Sequence, residues 1–179
     1  MKNHNRILKI TLSAMFLALA YVMPFLTGQI PEIGAMLCPM HLPVLLCGFI
    51  CGWQGGLVVG VVAPLLRSFV LGMPPMFPTA VCMAFELAAY GVVTGLMHKY
   101  LPKKKICIYC SLVVAMIVGR LVWGAAMFVC VGMSGGSFTF AAFLAGAVTG
   151  AVPGIIVQII LVPILVMLLD NPNFLKVRD

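Results

Sequence analysis

Three clusters of positive charge divide an otherwise apolar chain. Lys2, Arg6 and Lys9 precede the first apolar run, Lys99, Lys103, Lys104 and Lys105 form one loop in mid-chain, and Lys176 and Arg178 follow the last run. The runs between them are long enough to cross a hydrocarbon core of ~30 Å, at about 20 residues per crossing. Positive residues of short loops stay on the cytoplasmic side. The N-terminus, the mid-chain loop and the C-terminus are therefore expected inside, which requires an even number of crossings before and after that loop. With 63% hydrophobic and 8% charged residues in 179, the chain has too little polar composition for a water-soluble domain. The net charge of +7 follows from this topology and gives no reason to invoke nucleic acid. The first apolar run continues through residues 21–26 without a convincing cleavage site, so it reads as a span and not as a removed signal peptide.

The expected fold is an all-α integral membrane protein, one membrane domain over 1-179, with six transmembrane helices at about 7-25, 40-53, 55-71, 79-99, 106-131 and 141-169. Ala14 and Ala18 lie four apart on the first span, a small-xxx-small arrangement that lets another helix approach closely. The second span is short and holds Pro43 and Gly48, and Pro64 lies in the third. Proline inside a span frees a backbone carbonyl, which is tolerated where a neighbour or cavity water satisfies it. Glu86, Tyr90 and Thr94 follow one another at i, i+4 and i+8 on the fourth span, a polar stripe on one face that should point inward. The loop over 27–39, with Gln29, Pro31 and Glu32, is too polar for membrane core and suits a cover over a site.

Arg67 and Glu86 flank the loop over 72–78 almost symmetrically, which puts them at similar depth below one membrane face. An ionised side chain well inside a bilayer costs about 3 kcal/mol or more, so it usually faces a wet cavity or a protein interior. Two readings follow: a ligand site, or a structural ion pair that pins two helices together. Arg120 lies near the middle of the fifth span, where snorkelling to water is hardest, with Trp123 three residues later. His41, between Pro39 and Pro43, either lines the same site or is an interfacial helix-end histidine. The seven cysteines read as packing residues, since neither Cys47/Cys51 nor Cys107/Cys110 has a histidine or carboxylate nearby to complete a metal set. No cofactor or metal is implied, and no Gly-x-x-x-x-Gly-Lys-Ser/Thr phosphate loop is present.

Six spans in this length, the basic loop after the fourth, Ala14-Met15-Phe16-Leu17-Ala18 in the first, and the run GMPPMFPTAVCMAFELAAYG over 72–91 together resemble the S-component of an energy-coupling factor (ECF) vitamin transporter. That resemblance implies a multi-pass protein of a bacterial or archaeal plasma membrane that captures a small water-soluble vitamin outside. It has no ATPase of its own and works with a transmembrane T component and two ATPase subunits. It also implies that the Ala14/Ala18 face meets the T component and that Arg67, Glu86 and Arg120 fall in the pocket. Tyr90, Trp123, His41 and Phe77 are further candidates for that pocket, while few aromatics argue against a large flavin or pterin. Buried charges summing to +1 leave room for one anionic ligand group, which an arginine fork holds well; this suits a pantothenate-type acid. A Glu86 receiving a ring nitrogen proton suits a pyridoxine-type ring, and the two stay open. A self-sufficient small permease or channel is the alternative, although the halves show no clear internal repeat. A membrane-embedded enzyme would need a nucleophile with a base, or a metal set, at a common depth.

Overall fold

The computed structural model describes residues 2–27, 36–102, 104–147 and 149–169. All regular structure among them is helical: α1 (Lys2–Val22) with a 3-10 turn (Met23–Thr27), α2 (His41–Cys51), α3 (Trp53–Leu71), a π turn (Met76–Ala80) leading into α4 (Val81–Tyr100), α5 (Lys105–Met133), α6 (Phe140–Ala147), a 3-10 turn (Thr149–Ala151) and α7 (Val152–Leu169). Five stretches are long and apolar enough to cross a membrane: 5–25, 53–71, 76–100, 105–133 and 140–169. The protein is thus a multi-pass helical membrane protein.

The sixth expected span is different in kind. α2 has 11 residues, which at 1.5 Å per residue is about 16 Å, roughly half a hydrocarbon core. Gly52, with φ of 87°, ends it and turns the chain directly into α3. Ten of its residues, all except Ile50, are buried, and it packs against α1, α3, α4 and α7. A half-length helix has both polar ends at membrane depth, which is tolerated only inside protein or beside a cavity. The last expected span, 141–169, falls within the crossing stretch 140–169, which is built from α6, a 3-10 turn and α7. Met1, Lys103, Val148 and the segments 28–35 and 170–179 lie outside the described residues, and with them Lys103 of the basic loop, the polar loop residues Gln29, Pro31 and Glu32 and the terminal Lys176 and Arg178.

α3 and α4 form the most extensive helix pair in the bundle. Gly56 and Gly91 lie backbone to backbone at its centre, where a Cβ on Gly56 would sit 2.7 Å from the Gly91 Cα. No neighbour can retreat, because the obstruction is main chain. Apolar side chains that face outward, such as Phe69, Ile117, Leu121 and Ile160, are what a bilayer-embedded surface requires.

This packing generates a test with opposite signs at two glycines. Gly56→Ala should lower the melting temperature in detergent by an amount corresponding to about 1–3 kcal/mol of overpacking. Gly132→Ala, in α5 where an added Cβ meets nothing within 4 Å, should leave it unchanged or raise it.

Candidate functional site: a buried carboxylate cluster

Three helices and one turn converge on Glu86. α4 carries Glu86 and Tyr90 one turn apart, α5 brings Arg120, and α2 opens with His41. Glu86 is 1% exposed, Tyr90 1% and Thr94 0%, so the polar stripe on α4 points inward as its spacing requires. Arg120 Nη1 lies 3.0 Å from Glu86 Oε1, and His41 Nε2 lies 3.4 Å from the same oxygen. Tyr90 interacts electrostatically with Glu86, and its ring meets His41 edge-on at 5.3 Å. Because α2 starts here, the positive end of its peptide dipoles also falls beside the carboxylate.

The turn before α2 supplies a fifth group. Cys38 takes a left-handed backbone with φ of 47°, unusual for a residue with a side chain and costing on the order of 1–3 kcal/mol. Its carbonyl accepts from the His41 amide at 3.0 Å, starting the helix, while Arg120 Nη2 donates to its sulfur at 3.7 Å. Burial pushes the Cys38 thiol above its ordinary pKa, with the Arg120 charge pulling the other way, so it contributes as a neutral thiol. Cys38 gave no signal in the sequence beyond standing before Pro39.

These contacts do not exhaust the donors. Glu86 Oε1 is close to its partners but not aligned with them as a hydrogen-bond acceptor, and His41 Nδ1 and Arg120 Nε meet no hydrogen-bond partner among the described residues. Buried polar atoms are satisfied in the great majority of cases. A cluster with two buried, unpartnered nitrogens, one on the His41 ring and one on the Arg120 guanidinium, beside an incompletely satisfied carboxylate is therefore suited to a ligand that brings polar groups of its own. It is not needed for packing: burying an ion pair costs several kcal/mol per ion, and apolar replacements of similar volume are often as stable.

The other sequence candidates lie apart from this cluster. Arg67 is buried but does not pair with Glu86. It donates from Nη1 to the Tyr21 carbonyl at 3.2 Å and stacks over the Phe25 ring at 5.5 Å, which ties α3 to the end of α1. The ion-pair reading of Arg67 with Glu86 is thus replaced by Arg120 with Glu86. Trp123 packs with Phe138 at 6.1 Å and Phe143 at 6.4 Å. Phe77, in the π turn before α4, is 49% exposed. No group of three metal-ligating side chains converges among the described residues. Ala14 and Ala18 are exposed on α1, on the side away from Phe16 and Ala20, which are buried.

A helical membrane bundle with an ionised cluster buried inside it has the character of a protein that handles a polar solute. The comparison with protein families agrees: residues 8–166 match the ECF transporter, substrate-specific component, and the chain belongs to that family. No curated protein matches it, and no solved structure does.

The pairing has a direct consequence for stability. Glu86→Leu alone strands the Arg120 charge and should cost about 3–5 kcal/mol, seen as a lower melting temperature in detergent. Adding Arg120→Met should recover most of that loss. A double variant as unstable as the single one would show that the two charges do not depend on each other.

Proposed function

We propose that the chain captures a small water-soluble vitamin or precursor, pyridoxine-type or pantothenate-type, at the outer face of the plasma membrane for ATP-driven uptake. Membership of the substrate-specific component family supports a substrate-specific subunit of an ECF importer. The observation that carries the finer reading is the pair of unpartnered buried nitrogens, His41 Nδ1 and Arg120 Nε, in the cluster around Glu86. A ligand with a carboxylate or phenolate gives Arg120 an acceptor, and one with a protonated ring nitrogen or a hydroxyl gives Glu86 a donor. In this reading His41, Glu86, Tyr90 and Arg120 contact the ligand, while Arg67, Trp123 and Phe77 stand outside that first set of contacts. The ATPase work falls to two partner subunits, reached through the T component, which docks on the exposed Ala14/Ala18 face of α1.

Calorimetry of the purified chain against a panel of water-soluble vitamins tests the reading. Binding of one anionic or zwitterionic member is expected, and Arg120→Lys, which keeps the charge but loses the planar fork, should weaken it by about 1.5–3 kcal/mol. No binding by any vitamin in the panel would overturn the proposal. A second measurement addresses docking: Ala14→Leu should abolish co-purification with the T component while leaving vitamin affinity unchanged, because the added bulk blocks close helix approach. Vesicles holding the chain alone should not accumulate the vitamin, whereas vesicles with the full module and ATP should.

A further inference from the structure

At the opposite end of the bundle, the last turn of α4 and the first two turns of α5 border a small open cleft of about 30 Å³. His98, Lys104 and Ser111 form its polar lining, and Leu101, Pro102 and Ile108 its apolar lining. His98 is 8% exposed, with the Phe49 ring edge-on to it at 5.3 Å. The charge around this cleft is unbalanced. Lys99, Lys104 and Lys105 are exposed, and the one acidic residue with a described position, Glu86, is engaged at the other end of α4. α5 also begins here with no acidic residue in its first turn and no side-chain cap at Lys104, which adds a positive dipole end to the lysine charges.

We propose that this cleft holds the phosphate headgroup of an anionic phospholipid. Its mixed lining decides the kind of ligand: a free anion has no use for the Leu101, Pro102 and Ile108 side, whereas a lipid brings apolar and charged parts together. The surroundings suit the membrane–water boundary. Tyr100 is 75% and Ile106 68% exposed, and Lys99 lies over the Tyr100 ring at 5.4 Å, the aromatic and basic residues that collect at the headgroup level. Basic pockets between membrane helices take lipid headgroups for this reason. The site is independent of the vitamin reading and stands or falls separately.

The test is a thermal-stability titration of the full chain in neutral detergent with phosphatidylglycerol, phosphatidylcholine or inorganic phosphate. Phosphatidylglycerol should raise the melting temperature saturably, and the other two should not. Lys104→Gln should raise the phosphatidylglycerol concentration for half-effect about fivefold, while Lys99→Gln, whose ammonium sits over Tyr100, should change it far less. The melting temperature of each variant without lipid serves as the folding control. Equal stabilisation by phosphatidylcholine would reduce the cleft to an apolar contact. An equal effect of inorganic phosphate would make it a free-anion site, and equal losses from both lysine variants would leave only a diffuse surface field; each of these outcomes overturns the proposal.

Discussion

A carboxylate that is 1% exposed in the middle of an apolar bundle sets the terms for everything around it. An isolated charge there would be costly; here Arg120 lies at 3.0 Å and His41 at 3.4 Å. Those partners come from different helices, so the cluster ties α2, α4 and α5 to one another at a single depth. The pair is costly to desolvate, and an apolar core would serve packing as well. Its retention is understandable if the polar atoms serve a ligand, because a binding pocket needs a few placed polar groups in otherwise apolar walls.

The short α2 makes this arrangement possible. A full-length span would pass the level of Glu86 with its backbone donors already used, whereas α2 begins there and presents its first turn to the carboxylate. The strained turn at Cys38 starts the helix, and Gly52 returns the chain into α3, where the Gly56 amide donates to the Gly52 carbonyl at 3.0 Å. α2 itself packs against four helices, α1, α3, α4 and α7. The glycine contact between α3 and α4 belongs to the same design, since it brings two spans close enough to wall in a helix that cannot reach across the membrane.

Much of this was legible in the sequence and part of it was not. Composition and the lysine clusters gave the helical membrane class, and the i, i+4, i+8 spacing gave the buried stripe of α4. The depth of Arg67 and Glu86 was also readable from their distance to the loop, but depth alone does not decide partners. Glu86 lies five residues before Gly91, which at about 100° per residue is ~140° around the helix from the face that meets α3. It therefore turns toward α2 and α5, and Arg120 takes the place that depth alone offered to Arg67. Cys38 was invisible for a different reason: its contribution comes from a left-handed backbone and a sulfur beside a guanidinium, neither of which has a sequence pattern.

The same physics determines which features of such a chain carry information. In water an exposed apolar stripe like Ile7, Ile10, Leu19 and Val22 on α1 would signal an interface. In a bilayer it is the default, because lipid tails are as apolar as leucine and give helices no hydrophobic reason to associate. What distinguishes the α1 face is the small size of Ala14 and Ala18 between larger neighbours, since close approach and van der Waals contact are what drive helix pairing in lipid. Polar atoms in the interior are informative for the converse reason: each one there has been carried out of water at a cost of kilocalories, so Glu86 with its neighbours says more about what the protein does than any number of its apolar residues.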